Sequence, residues 1–122
     1  MNATKIYDIR ERTYAYALEI IGFLRGLPDD YIVRTVGKQL LRSATSIGAN
    51  IVEAQAASSR KDFQNFYNYA LKSANESKFW LGLLKDSGII AADRVAPLLN
   101  ETHELSNILA SSIITLKGKR KF

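Results

Sequence analysis

One run, residues 41–57 (LRSATSIGANIVEAQAA), narrows what this 122-residue chain can fold into. Around and within it, apolar side chains recur at Val33, Val36, Leu40, Ala44, Ile47, Ile51 and Ala54. The steps of three and four are the helical period. Between them stand small residues: Ser43, Thr45, Ser46, Gly48, Ala49, Ala56 and Ala57. A glycine such as Gly48 costs a helix interior about 1 kcal/mol against alanine, and Asn50 is also a weak helix former. A helix carries such residues where its neighbours approach closely, or where a polar side chain is wanted inside the packing. The run therefore reads as the middle of the central helix of a bundle.

The remaining chain supplies the neighbours. A first helix starts at Asp8 and repeats Ile9, Thr13, Tyr16, Ala17, Ile20, Leu24 and Leu27, with Tyr14, Leu18 and Ile21 on a second stripe. Gly26 and Pro28 end it, and Asp29 or Asp30 is placed to cap a second helix from about Tyr31 to Ala56. Ser58 or Ser59 can cap a third, whose seam runs Phe63, Tyr67, Ala70, Ala74, Ser77, Leu81 and Leu84 in heptad-like steps. Beside that seam lies a second stripe with Phe66, Tyr69, Ser73, Glu76, Trp80 and Leu83. Gly88 marks the C-terminal stop. A fourth helix starts between Ala91 and Asp93 and carries Val95, Leu99, Thr102, Leu105, Leu109, Ile113 and Leu116, with Pro97 in its first turns or followed by a kink. Residues 1–7 form a short lead. With no alternating apolar runs, the pattern predicts an all-α, antiparallel up-down-up-down four-helix bundle. A chain of this length makes one domain over residues 1–122, ending in a basic tail, 117–122.

The apolar stripes are wider than one such core needs. Tyr14, Phe66, Tyr69 and Trp80 cannot all be inside together, and surplus apolar surface of this kind marks a partner or a second copy. A homo-oligomer is the expectation, with Tyr14, Phe66, Tyr69 and Trp80 at its interface. The alternative is that these amphipathic rings line the rim of a single bundle.

Composition removes several chemistries. The chain has no cysteine, which excludes disulfides and thiolate metal sites and fits a reducing compartment. Its single histidine, His103, reads as a lone surface residue, and no metal or cofactor is expected. Glu101 and Glu104, one turn apart, read as a solvated helix face. The sequence holds no glycine-rich phosphate loop, nucleophile elbow or metalloprotease helix. Helical ribonucleases that place histidine four to six residues after arginine are not matched, because Arg94 precedes His103 by nine. Asp8 and Glu11 near the start argue against a signal peptide, and no run reaches the length of a membrane span. No enzymatic activity and a cytoplasmic location are expected.

A net charge of +5 suits a polyanionic partner. Arg34, Lys38 and Arg42 stand four apart as one ridge, and Arg60, Lys61, Lys78 and the tail Lys119, Arg120 and Lys121 extend the basic set. Such a surface can follow a phosphate backbone while nearby aromatics stack on unpaired bases. The competing account is pairing within the bundle. In a hairpin of helices two and three, Arg42 falls opposite Glu76, which can hold it, and Lys72 can pair with Glu76 along the helix. Asn50 and Glu53 read as an interior polar pair that fixes register, completing a structural network of Arg42, Asn50, Glu53 and Glu76.

Three segments carry a family resemblance: SIGANIVEA at 46–54, SRKDF at 59–63, and ALKSANES at 70–77 followed by Trp80-Leu81. With the Leu27-Pro28-Asp29 turn and Gln39-Leu40-Leu41-Arg42, the chain resembles, over residues 8 to 117, the bacterial four-helix bundle proteins encoded in 23S rRNA intervening sequences. It is similar also to the accessory proteins of diversity-generating retroelements. The resemblance implies a four-helix bundle assembled as a barrel-like homopentamer, without known enzymatic activity. The retroelement relatives bind RNA and a reverse transcriptase through a basic outer surface, and the genomic setting of the others points to rRNA. Gly48 and Ala54 depart from one branch, where proline and glycine are common, and match the other. A scaffold contacting structured RNA is the first expectation; a module docking a protein such as a reverse transcriptase is the alternative.

Overall fold

The computed structural model describes residues 8–120, and the expectations for residues 1–7 and for Lys121 lie outside them. Four helices follow in order: α1 (Ile9–Arg25), α2 (Tyr31–Gln55), α3 (Arg60–Asp86) and α4 (Ala92–Arg120). Their ends are set by local chemistry. The Asp8 carboxylate accepts the backbone N–H groups of Arg10 and Glu11 at 3.2 and 3.3 Å, and Asp30 accepts that of Val33 at 3.1 Å. Ser59 takes the Asp62 N–H at 3.0 Å, so each of these three helices opens on a side chain that satisfies an otherwise orphaned donor. Gly88, at φ +76°, turns the chain after α3 in the left-handed conformation that glycine adopts without a Cβ clash. Pro97 sits inside α4, where it withholds one backbone donor.

The helices form an antiparallel up-down-up-down bundle. Side-chain pairs set the directions: Ser43 meets Ser77 while Ser46 meets Ser73, so numbering rises on α2 as it falls on α3. Likewise Gly37 faces Leu24 and Gly48 faces Thr13 across α1 and α2. The widest interface is α2 on α3, then α3 on α4, then α1 on α2; α1 touches α4 sparingly. The seams read from the periodicity are the core. Tyr16, Ile20, Leu40, Ala44, Ile47, Ile51, Ala70, Ala74, Leu81, Leu105 and Leu109 are fully or almost fully buried.

The small residues of α2 do what their size implies. A Cβ on Gly48 would stand 3.2 Å from Thr13 Oγ1 and 3.4 Å from Thr13 Cβ, and one on Gly37 would stand 3.2 Å from Leu24 Cδ2. Glycine at these positions lets α1 lie close against α2.

The polar core differs from the expectation. Asn50 donates to the Ser46 carbonyl at 2.8 Å and to Ser46 Oγ at 3.1 Å, while Glu53 is exposed. The two do not form an interior pair, because three residues on from a half-buried flank the helix has turned fully to solvent. The buried polar contacts are smaller ones, Ser43 with Ser77 at 2.8 Å and the Tyr16 hydroxyl with Thr102 Oγ1 at 2.6 Å. Thr102 gives its own proton to the Leu98 carbonyl at 2.6 Å, so Tyr16 is the donor in the shared bond.

Candidate functional site

Basic residues sort into engaged and unengaged groups. Arg42 is held by Glu76, whose same oxygen accepts the Trp80 indole N–H at 3.0 Å. The expected pairing of Lys72 with Glu76 is absent among the described residues; the carboxylate is already shared by Arg42 and Trp80 across the α2–α3 groove. Arg34 pairs with Asp29 from the preceding turn. The ridge Arg34–Lys38–Arg42 is thus interrupted, and only Lys38 of the three stands exposed without an ion pair. Arg60, Lys61 and Lys72 are exposed on α3, Lys78 is half-buried, and none of them has an ion pair among the described residues.

The antiparallel fold gathers part of this charge at one end. Phe63 and Tyr67 near the start of α3 line a groove with Ser111, Ser112, Thr115 and Leu116 near the end of α4. Arg60 and Lys61 are therefore placed beside exposed Lys117, with the α4 backbone running on through Lys119 and Arg120. Of Lys119 and Arg120 only the helical backbone is described. Lys38 lies toward the opposite end, beside the groove between α1 and α2 lined by Leu24, Leu27 and Arg34.

The aromatic residues divide too. Tyr14 is 68% and Tyr69 50% exposed. Phe66 and Trp80 pack partly against the core. Sequence reasoning gave the second stripe of α1 but not its continuation on α2. Tyr14 and Val52, the latter 63% exposed, line one groove between α1 and α2, and Leu18, Ile21 and Leu41 are exposed on the same two helices. The signal was present as Val52 and Leu41 on the flank of the α2 seam.

Acid–base chemistry is sparse. His103 is exposed on α4, and among the described residues no three His, Cys, Asp or Glu side chains cluster as metal ligands. Glu104 is solvated as expected, at 64% exposed, but Glu101 is half-buried. They receive Arg12, whose Nε and Nη2 donate to Glu101 at 2.7 and 2.8 Å and whose Nη2 also donates to Glu104 at 2.6 Å. The hydrogen bond that Arg12 donates to Glu101 is the main influence holding the guanidinium charged, against the opposing effect of its burial. Burial pushes the Tyr16 phenol up to about 12 and raises that of Tyr67, so both stay protonated donors at neutral pH. Among the described residues, no helix is long and apolar enough to cross a membrane.

The four-helix fold agrees with what the chain is similar to. A crystal structure of a protein of unknown function, from the S23 ribosomal protein family of Bacteroides thetaiotaomicron, shares 38% identity with it. The match covers 86% of this chain and 97% of that one, with a TM-score of 0.78. No curated protein matches the chain. The model of one family, described as 23S rRNA-intervening sequence protein, matches residues 5–111. Spanning α1, α2, α3 and most of α4, that match makes this chain a member of the 23S rRNA-intervening sequence protein family.

Proposed function

We propose that this chain is a non-enzymatic, homo-oligomeric helical scaffold that contacts structured RNA through its basic outer surface. The observation that carries the reading is the set of exposed cations without ion pairs among the described residues, Lys38, Arg60, Lys61 and Lys72, on a family whose name ties it to rRNA. Cations committed inside a protein are paired; unpaired ones on helix faces are available to phosphates. The non-enzymatic part is supported by Glu101 and Glu104 being engaged with Arg12, and by His103 standing exposed. Self-association is supported by the exposed apolar side chains of α1 and α2, Tyr14 and Val52 in one groove and Leu18, Ile21 and Leu41 beyond it. Five copies in the cytoplasm is the assembly the family resemblance favours.

The test is retention of total bacterial RNA across a salt series, run beside light scattering for mass. Phosphate contacts predict a steep fall in affinity with salt. Retention that ignores salt, or no retention at low salt, counts against RNA; a monomeric mass counts against the scaffold.

The uncovered α1–α2 face also supports a second reading, an accessory module that docks a protein such as a reverse transcriptase. Reversing Lys38 and Lys78 to glutamate would then spare RNA retention and abolish capture of that partner.

A further inference from the structure

We infer that the groove between the start of α3 and the end of α4 seats an unpaired nucleobase of the bound RNA, an assignment that rests on the RNA reading above. The groove holds about 530 Å³, within the range of small-ligand sites. One wall is aromatic: the Phe63 and Tyr67 rings stack at 4.9 Å between centroids and 24° between planes. The facing wall, on α4, is mostly apolar through Ile108 and Leu116, with Asn107, Ser111 and Thr115 as its polar positions. The Asn107 amide and Ser111 hydroxyl have no hydrogen bond among the described residues. Thr115 spends its proton on the Ser111 carbonyl at 3.0 Å and keeps its oxygen as an acceptor.

A base can set its donor and acceptor edge on Asn107 and Ser111 while its face lies on the apolar lining beside Phe63. The phosphates on either side of such a nucleotide would meet the cations the fold gathers here, Arg60 one turn before Phe63 and Lys117 next to Leu116. At the other end of the bundle the Leu24–Leu27 groove has a cation, Lys38, but no aromatic ring, so it lacks this combination.

The probes are fluorescein-labelled 12-nucleotide oligo-A and oligo-U strands and a 12-base-pair RNA duplex, followed by anisotropy at low salt. Ser111→Phe fills the groove from an exposed helix position; Arg60→Glu with Lys61→Glu removes charge beside it. The expected result is that Ser111→Phe weakens single-strand binding about tenfold, the size of one lost base stack, and leaves duplex binding within about twofold. The charge variant weakens both. If Ser111→Phe binds single strands like the parent while the charge variant does not, the groove assignment is overturned and RNA contact stands. If no RNA binds the parent protein, both readings fall. If Ser111→Phe instead changes the mass in solution and leaves RNA binding intact, the groove is a contact between copies and the assignment is overturned.

Discussion

Arg12 and Glu101 stand 89 residues apart in sequence and meet as a two-pronged pair, guanidinium to carboxylate at 2.7 and 2.8 Å. The side chains are only 18% and 24% exposed, so solvent screens the pair weakly. With the Tyr16–Thr102 bond, it ties α1 to a helix that α1 otherwise touches sparingly.

Arg12→Ala should therefore destabilise the fold by about 2 kcal/mol, because it leaves Glu101 half-buried without its donor. Arg12→Lys should recover less than half of that, since an ammonium cannot present two parallel donors. Urea midpoints for Arg12→Ala, Glu101→Ala and the double variant check this. Additive losses would show that the pair contributes no coupling.

Glycines in this fold should separate into two kinds. Gly82 has open space where a Cβ would go, so Gly82→Ala should stabilise by about 0.5–1 kcal/mol through helix propensity. Gly48→Ala gains the same propensity and loses it by pressing on Thr13, whose hydroxyl is anchored to the Ile9 carbonyl at 2.8 Å. It should come out within about 1 kcal/mol of neutral, whereas Gly48→Leu should cost more than about 2 kcal/mol by pushing α1 off α2. Thermal midpoints of the three variants decide it.

Alkaline stability should report on Tyr16. Burial raises its phenol from 10.0 to about 12, outweighing the hydrogen bonds that Thr102 and Ser77 could turn toward a phenolate. A folded value above the unfolded one means the fold retains the proton. That stability is whole below about pH 10 and is lost as pH climbs through about 12. Between pH 8 and pH 11 the parent protein should lose about 1–1.5 kcal/mol more than Tyr16→Phe, read from urea midpoints at each pH. Thr102 keeps its bond to Leu98 in the variant, so no buried hydroxyl is orphaned.

Trp80 is the sole tryptophan and lies half-buried against α2, its N–H on Glu76. If copies cover the α2–α3 outer face, its emission should shift to the red as the assembly is diluted, in step with the fall in mass by light scattering. An emission maximum unchanged across dissociation would move the contact to the α1–α2 face of Tyr14 and Val52.

By itself the sequence determined the four helices, a cap for α2 at Asp29 or Asp30 and for α3 at Ser58 or Ser59, the turn at Gly88 and nearly all of the core; the structure chose Asp30 and Ser59 and added Asp8 as the cap of α1. These are consequences of local hydrogen bonding and of apolar spacing, which act within a few residues and are written in their order. The register of α2 against α3 was legible as far as Arg42 and Glu76, because a short turn fixes which residues face each other. Only the tertiary structure decided that Glu101 and Glu104 receive Arg12, that Tyr16 donates to Thr102, and that Glu53 faces solvent while Asn50 bonds along its own helix. It also decided that Arg60 and Lys61 share an end of the bundle with Lys117. Each of these depends on which helix faces stand together and by how many degrees a side chain is turned from the core. Periodicity gives a helix its apolar face; it does not say which neighbour's charged flank that face brings alongside.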